Sequence, residues 1–310
     1  MRLREKIMYC AMPTRLTHLS AKVRRIAWQA GFAPSIPFDV GPFKYFEGGI
    51  IGRTETLRFM IDYMKICGTV GIFGISEGVM GELKTALDEG KKIRVFPGLD
   101  PEWDAMYEKL KCKYSDLFAR LRGPHQLFNL VGAKAIGKTF WSNWLLEQLG
   151  DCLARVKNTT TRQPRDKRDY ESYRFVTKEE FLKSRAEHKF LETVWYHDNY
   201  YGSSLGNIRK VLKHCNGICA LTPKGAIALN RHRLEVNLTT ILLVAKSPDI
   251  LMKNFSRRKD INPERQKRLL EEARSFTLPP SVPHKKIIIT GNNEEDAKNI
   301  LKIVKPLIAE

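Results

Sequence analysis

Apolar residues along the chain fall into two recurring patterns. Short unbroken runs at 6–11, 69–73 and 126–131 lack polar alternation, as expected of strands buried on both faces. Between and after them lie segments with apolar residues three and four positions apart, at 16–30, 54–65, 78–89 and 139–149, which predict amphipathic helices. Pro13 breaks the first strand, and Gly31 stops the first helix. Further strands are predicted at 93–96, 217–221, 239–245 and 286–290, and a charged helix over 101–122. Strands alternating with helices predict an α/β protein of parallel sheets flanked by helices.

The order restarts at Gly123-Pro124, where a break precedes a new strand, a glycine-rich loop and a helix. The 310 residues are about twice the usual domain length, so two domains are expected, 1–122 and 123–310, each with its own parallel sheet. A hydrophobic content of 43% with 28% charged residues excludes wholesale disorder.

Charge adds a chemical hint. Lys and Arg total 53 against 34 Asp and Glu, a net +19, which points to a phosphorylated or polyanionic partner. Residues 1–122 hold 20 bases and 14 acids and the remainder 33 and 20, so the second part is the stronger candidate for handling phosphate. A solubilising lysine-rich surface explains the same surplus. Six scattered cysteines without a CxxC pair argue against a disulfide scaffold or zinc ribbon and for a reducing, cytoplasmic setting. His214, Cys215 and Cys219 lack a second ligand pair, so buried thiols are expected there. No uncharged run approaches the ~20 residues of a membrane span, so no membrane contact is expected.

Gly132-Ala133-Lys134-Ala135-Ile136-Gly137-Lys138-Thr139 fits the phosphate-loop pattern GxxxxGK[ST] in its proper place between strand and helix. Glycines there let backbone N–H groups surround a β-phosphate, Lys138 neutralises phosphate charge, and the Thr139 hydroxyl faces Mg²⁺. ATP and Mg²⁺ are the implied cofactors. Downstream come Asn158-Thr-Thr-Thr161-Arg162-Gln-Pro164-Arg165, Tyr173-Arg-Phe175-Val176, Phe190-Leu-Glu192 and Asn199-Tyr-Tyr201-Gly202-Ser203. Arg162 and Arg165 with the hydroxyls of Tyr173 and Tyr201 can fork around one phosphate dianion, a geometry that lysines cannot supply.

With the phosphate loop, these motifs resemble the guanylate kinase family over roughly 126–310. The resemblance implies an ATP-dependent nucleoside monophosphate kinase in a P-loop fold. It assigns Glu192 to accept hydrogen bonds from the base edge, Ser203 to assist, and Arg258 (or Arg257) and Arg268 to the lid and catalytic arginines. Two stretches depart from the family. Asn158 stands where Ser is usual, and Ala220-Leu-Thr222 stands where the family has Asp-hydrophobic-Asp. A lost carboxylate removes an acceptor for the guanine donors and leaves Thr222 to compensate, so the base is open between a GMP or dGMP type and a modified deoxynucleotide. It also weakens outer-shell support for Mg²⁺.

In the first part, Ser76-Glu77-Gly78-Val-Met-Gly81-Glu82-Leu83 follows an apolar strand, and the chain opens Ile7-Met-Tyr9-Cys-Ala11-Met-Pro13. These resemble the nucleoside 2-deoxyribosyltransferase-like superfamily with its 5′-nucleotide N-glycosidase branch, over about 6–97. A Rossmann-like domain hydrolysing the N-glycosidic bond of a (deoxy)nucleoside 5′-monophosphate is implied, and association into a homodimer through it. The Glu82 carboxylate would stabilise or trap an oxocarbenium-like state, kept ionised by the helix dipole. Ser76 would admit a 5′-phosphate that an Asp would repel, with Gly78 beside it. Arg15 would add positive charge, Asp62 would protonate or position the base, and Tyr9 would orient the nucleophile. Read from the residues alone, Glu82 is an ordinary first-turn helix acid and Ser76 a helix cap, with Glu77 facing solvent. Two competing readings stand beside this: a catalytically silent nucleotide-sensing first domain, and a nucleic-acid binder using the +19 charge, for which no reading motif is present. Small-molecule nucleotides are the expected partners.

Overall fold

The computed structural model describes residues 3–39, 52–164, 167, 169–196, 198–256, 263–274 and 276–308. The chain divides into two units, Met1–Arg122 with Ala186–His188, and Gly123–Arg185 with Lys189–Glu310.

In the first unit β1 (Ile7–Ala11), β2 (Ala33–Ser35), β3 (Thr69–Ile72) and β4 (Lys92–Val95) make a parallel sheet in the order β2-β1-β3-β4. Met8, Tyr9, Cys10 and Ala11 are fully buried, so β1 shows no polar alternation. Helices α1 (Ser20–Gln29), α2 (Gly52–Ile66) and α3 (Glu77–Asp88) join successive strands. The helix predicted over 16–30 is entered through a 3-10 turn at Thr14–Leu19. The single helix predicted over 101–122 is two, α4 (Trp103–Leu110) and α5 (Ser115–Arg122). One continuous helix would hold Tyr107 and Phe118 about 16 Å apart along its axis. The intervening turn folds the chain back, so their rings stack at 5.6 Å and both are buried.

The second unit contains β5 (Gln126–Gly132), β6 (Leu153–Arg155), β7 (Asn158–Thr160), β8 (Tyr173–Phe175), β9 (Phe190–Tyr196), β10 (Asn199–Ser204), β11 (Asn216–Ala220), β12 (Asn237–Ala245) and β13 (Lys285–Ile289). A parallel sheet runs β13-β12-β5-β11-β6, with the central strand β5 feeding α6 (Lys138–Gln148). Phe128, Leu130, Leu145, Ile218, Ile241 and Phe255 pack its core, each contributing about 1.5–3 kcal/mol by leaving water. A second, mixed sheet runs β8-β7-β10-β9. Strands β7 and β8 are only three residues long, and none of the four shows the unbroken apolar run that marks the parallel strands, so the hydrophobic pattern does not predict this sheet. The remaining helices used below are α7 (Asp169–Ser172), α8 (Lys178–Ala186), α9 (Leu205–Leu212), α10 (Pro223–Asn230), α11 (Pro248–Ser256), α12 (Pro263–Arg274) and α13 (Asn293–Val304).

All six cysteines are free. Cys219 is buried and Cys215 only half-buried, while Cys112 and Cys152 are exposed, so burial does not account for every thiol. Among the described residues no group of three potential metal ligands occurs, and no helix is long and apolar enough to cross a membrane.

Candidate functional site

The phosphate loop leaves β5 at Gly132 and enters α6 at Lys138. A side chain at Gly132 is excluded, because its Cβ would lie 2.7 Å from the Leu243 carbonyl oxygen on the paired strand β12. Gly137 sits at φ +98°, the left-handed region that glycine enters without steric cost, and the turn also holds Ala135 at φ +65°. Ile136 is buried beneath the loop. The Lys138 ammonium donates to the carbonyls of Gly132 (2.6 Å) and Ala133 (2.9 Å), and Thr139 lies exposed in the first turn of α6. A loop free of Cβ crowding at a helix N-terminus, with a cation on it, fits a nucleotide phosphate, and the Thr139 hydroxyl is placed to serve a metal.

One support of this loop and a cleft beside it were not visible in the sequence. Asn254 on α11 donates its amide to the Ala135 carbonyl at 2.9 Å, tying that helix to the strained turn. A cleft of about 170 Å³ beside the loop is lined by Ala133, Ile136, Lys246, Leu270 and Arg274. Arg268, expected to act catalytically, lies elsewhere on α12. It is exposed and paired with Glu272 at 3.1 Å, while Arg274 of the same helix lines the cleft. Arg258 and its alternative Arg257 lie outside the described residues, as does Arg165.

The mixed sheet gathers the expected base contacts. Pairing of β10 with β9 sets Ser203 opposite Glu192, and the Ser203 hydroxyl donates to the Asn158 side-chain oxygen on β7 at 2.9 Å. Thr222, the N-cap of α10, donates to Glu192 twice: its N–H to Oε1 at 3.3 Å and its hydroxyl to Oε2. Its oxygen meanwhile accepts from the Gly225 N–H at 3.2 Å. Thr222 thus spends its proton on Glu192 and one of its oxygen's two lone pairs on the helix, which leaves one lone pair for a donor of the base. Gly225 lies directly under the carboxylate, where a Cβ would fall 2.4 Å from the Glu192 carboxyl carbon.

The phosphate fork is arranged differently from expectation. The Arg162 guanidinium forms a two-point pair with Asp169 at 2.7 and 3.0 Å and lies over the rings of Tyr173 (5.1 Å) and Phe175 (5.6 Å). Tyr173 meets Tyr201 edge-on at 6.1 Å. Arg162 and the two tyrosines are thus together, with Asp169 as a carboxylate partner that sequence reasoning missed.

The guanylate kinase family model matches residues 125–307. The chain belongs to the guanylate kinase family. The guanylate kinase of Chlamydia felis is 30% identical over 186 residues, covering 58% of this chain and 86% of the relative. That of Schizosaccharomyces pombe is 30% identical over 182 residues, 58% of this chain and 73% of the relative. That of Helicobacter pylori is 29% identical over 190 residues, 59% and 90% respectively. The crystal structure of guanylate kinase from Anaplasma phagocytophilum aligns with 61% of this chain and 89% of its own, at 19% identity and a TM-score of 0.42. Guanylate kinases use ATP and Mg²⁺, and the family match contains the phosphate loop and the mixed sheet described above.

In the part of the first unit before residue 123, outside that match, the Tyr9 hydroxyl donates to Glu82 Oε1 at 2.6 Å. Burial pushes the Glu82 carboxyl up to about 7, against the opposing pull of the Tyr9 hydrogen bond. The expectation that the helix dipole keeps Glu82 ionised is corrected. Glu82 is the sixth residue of α3, beyond the first turn where the dipole acts, and desolvation dominates. Ser76 is the N-cap of α3, its hydroxyl accepting from the Val79 N–H at 3.3 Å, with Gly78 in the first turn. Arg15 is bound by the buried Asp100 at 2.6 Å and also donates to the Ile75 carbonyl at 3.1 Å. Its charge beside Ser76 is thereby offset by a carboxylate the sequence did not flag. Asp62 is exposed on α2 in a pair with Lys65, and Glu77 is exposed in a pair with Lys113.

Proposed function

We propose that the second unit is an ATP- and Mg²⁺-dependent kinase that converts a guanine-type (deoxy)nucleoside monophosphate to the diphosphate. The observation that carries this reading is the Asn158, Ser203, Glu192 and Thr222 cluster, in the same unit as the phosphate loop. A carboxylate offers about four lone-pair sites. Thr222 occupies two of those on Glu192, leaving two acceptors for the N1–H and N2–H₂ donors of a guanine edge. Asn158, with its oxygen engaged by Ser203, keeps an amide donor for the O6 acceptor. A base with the reversed donor order would leave those two acceptor sites of Glu192 unfilled, at a cost of about 1–3 kcal/mol. ATP and Mg²⁺ together supply the transferable phosphoryl group and offset its charge, with Lys138 and Thr139 as the side chains that would hold them. Arg162 and the Tyr173 and Tyr201 hydroxyls would hold the acceptor phosphate. A coupled assay with ATP, Mg²⁺ and a panel of monophosphates tests this. Turnover confined to GMP, dGMP or a base-modified analogue is expected, and absence of turnover with all of them overturns it.

A second reading, for the first unit, is hydrolysis of the N-glycosidic bond of a (deoxy)nucleoside 5′-monophosphate. The Tyr9 to Glu82 hydrogen bond favours it. A carboxyl group titrating near 7 is available both to protonate a leaving base and, once ionised, to face an oxocarbenium-like sugar. Chromatographic detection of free base from each deoxynucleoside monophosphate tests it. Release abolished in Glu82→Ala is expected; no release from any of them leaves a nucleotide-sensing domain in its place.

A further inference from the structure

Beside the edge strand β6 a cavity of about 820 Å³ opens between β6, residues 170–175 and α9. That is the size of a nucleotide or drug-like ligand site. Arg155, Lys157, Arg174 and Lys210 line it, with His214 just beyond α9, and no Asp or Glu is among its lining residues. Among the described residues, Lys157, Arg174 and Lys210 form no ion pair. Among the described residues Arg155 donates to the neutral Asn143 oxygen, at 2.5 Å, and burial holds its guanidinium below the usual range against the opposing pull of the Glu171 charge. The Glu171 carboxylate offsets Arg155 alone in part, so the converging cations still repel one another, and an anion in their midst removes that cost. One wall is aromatic: Tyr170 meets Phe175 edge-on at 5.0 Å, and Tyr173 stands beside them. Aromatic faces next to cations provide stacking for a base and charge for its phosphates.

Of the described residues assigned to the acceptor monophosphate, Tyr173 alone lines this cavity. We propose that the cavity is an accessory site for a nucleoside triphosphate, whose base rests on Tyr170 and Phe175 and whose phosphates meet Arg155, Lys157, Arg174 and Lys210. Tyr173 also carries the Arg162 guanidinium on its ring, so an occupant of the cavity lies one side chain away from the acceptor site.

The test uses the full chain carrying Lys138→Ala, which disables the phosphate loop, and titrates it calorimetrically with ATP, GTP, inorganic tripolyphosphate and a short oligothymidylate. A nucleoside triphosphate is expected to bind, at least tenfold more weakly once Lys157→Ala and Lys210→Ala are added. Tyr170→Ala is expected to weaken the nucleoside triphosphate and leave tripolyphosphate unchanged. Triphosphate binding unaffected by the lysine pair overturns the proposal. So does tripolyphosphate binding as tightly as GTP, or oligothymidylate displacing the triphosphates. Kinase turnover of the Lys157→Ala/Lys210→Ala chain with an intact phosphate loop is measured in parallel, so failure of the kinase reading and failure of this one are read separately.

Discussion

Tyr9, at the centre of β1, and Glu82, midway along α3, are 73 positions apart in the chain and share a 2.6 Å hydrogen bond inside the first unit. The carboxyl group titrates near 7, above its ordinary 4.5, so the folded chain holds this proton more tightly than the unfolded one. Its stabilising contribution is complete below about pH 4.5 and is lost as the pH rises through about 7, a swing on the order of 3 kcal/mol. Thermal melts from pH 5 to 8 should therefore fall less steeply for Glu82→Gln than for the parent chain. Tyr9→Phe removes the interaction that favours the carboxylate, so it should move the titration upward. Parallel melting curves for Glu82→Gln and parent would refute the assignment.

Thr222 has two jobs, capping α10 and donating to Glu192. Thr222→Val should cost about 1 kcal/mol of stability through the lost cap. It should also raise KM for the monophosphate severalfold through the freed carboxylate, with KM for ATP steady. Thr222→Ser keeps both hydrogen bonds and should track the parent in both measurements.

Lys138→Ala should lower kinase turnover by about two to three orders of magnitude, the usual effect of removing one charge-stabilising donor. Gly132→Ala introduces a Cβ against the Leu243 carbonyl at 2.7 Å and should cost about 1–3 kcal/mol by overpacking. Denaturant midpoints distinguish the two: the Lys138→Ala chain should unfold with the parent, the Gly132→Ala chain earlier.

Asp169 grips Arg162 by both terminal nitrogens and sets the guanidinium against Tyr173 and Phe175. Asp169→Asn should release that orientation. KM for the monophosphate is expected to rise about tenfold while kcat changes little, and steady-state kinetics at saturating ATP would show it. An unchanged KM means that Arg162 needs no such guide.

The phosphate loop was legible because its backbone can be built only with glycine at 132 and 137, and that requirement is written in the residue types. The parallel strands were legible for a similar reason, since burial on both faces demands unbroken apolar runs. Asp169, Asp100 and Asn254 were not legible. Each satisfies a partner brought near by tertiary folding, and a lone acid or amide in a polar stretch carries no period that announces this. The turn between α4 and α5 stayed hidden because both helices keep helical spacing through it. Arg268 was placed by motif, while its exposure depends on which face of α12 the second unit covers.

Gly225 constrains how the substrate preference of this pocket can be redesigned. Because the floor under Glu192 is bare backbone, a longer or bulkier group at position 192 has no room to sink, and a side chain at 225 would evict the carboxylate. An engineer seeking to accept adenine or a pyrimidine would have to move the whole first turn of α10, changing two strands' worth of neighbours for one altered contact.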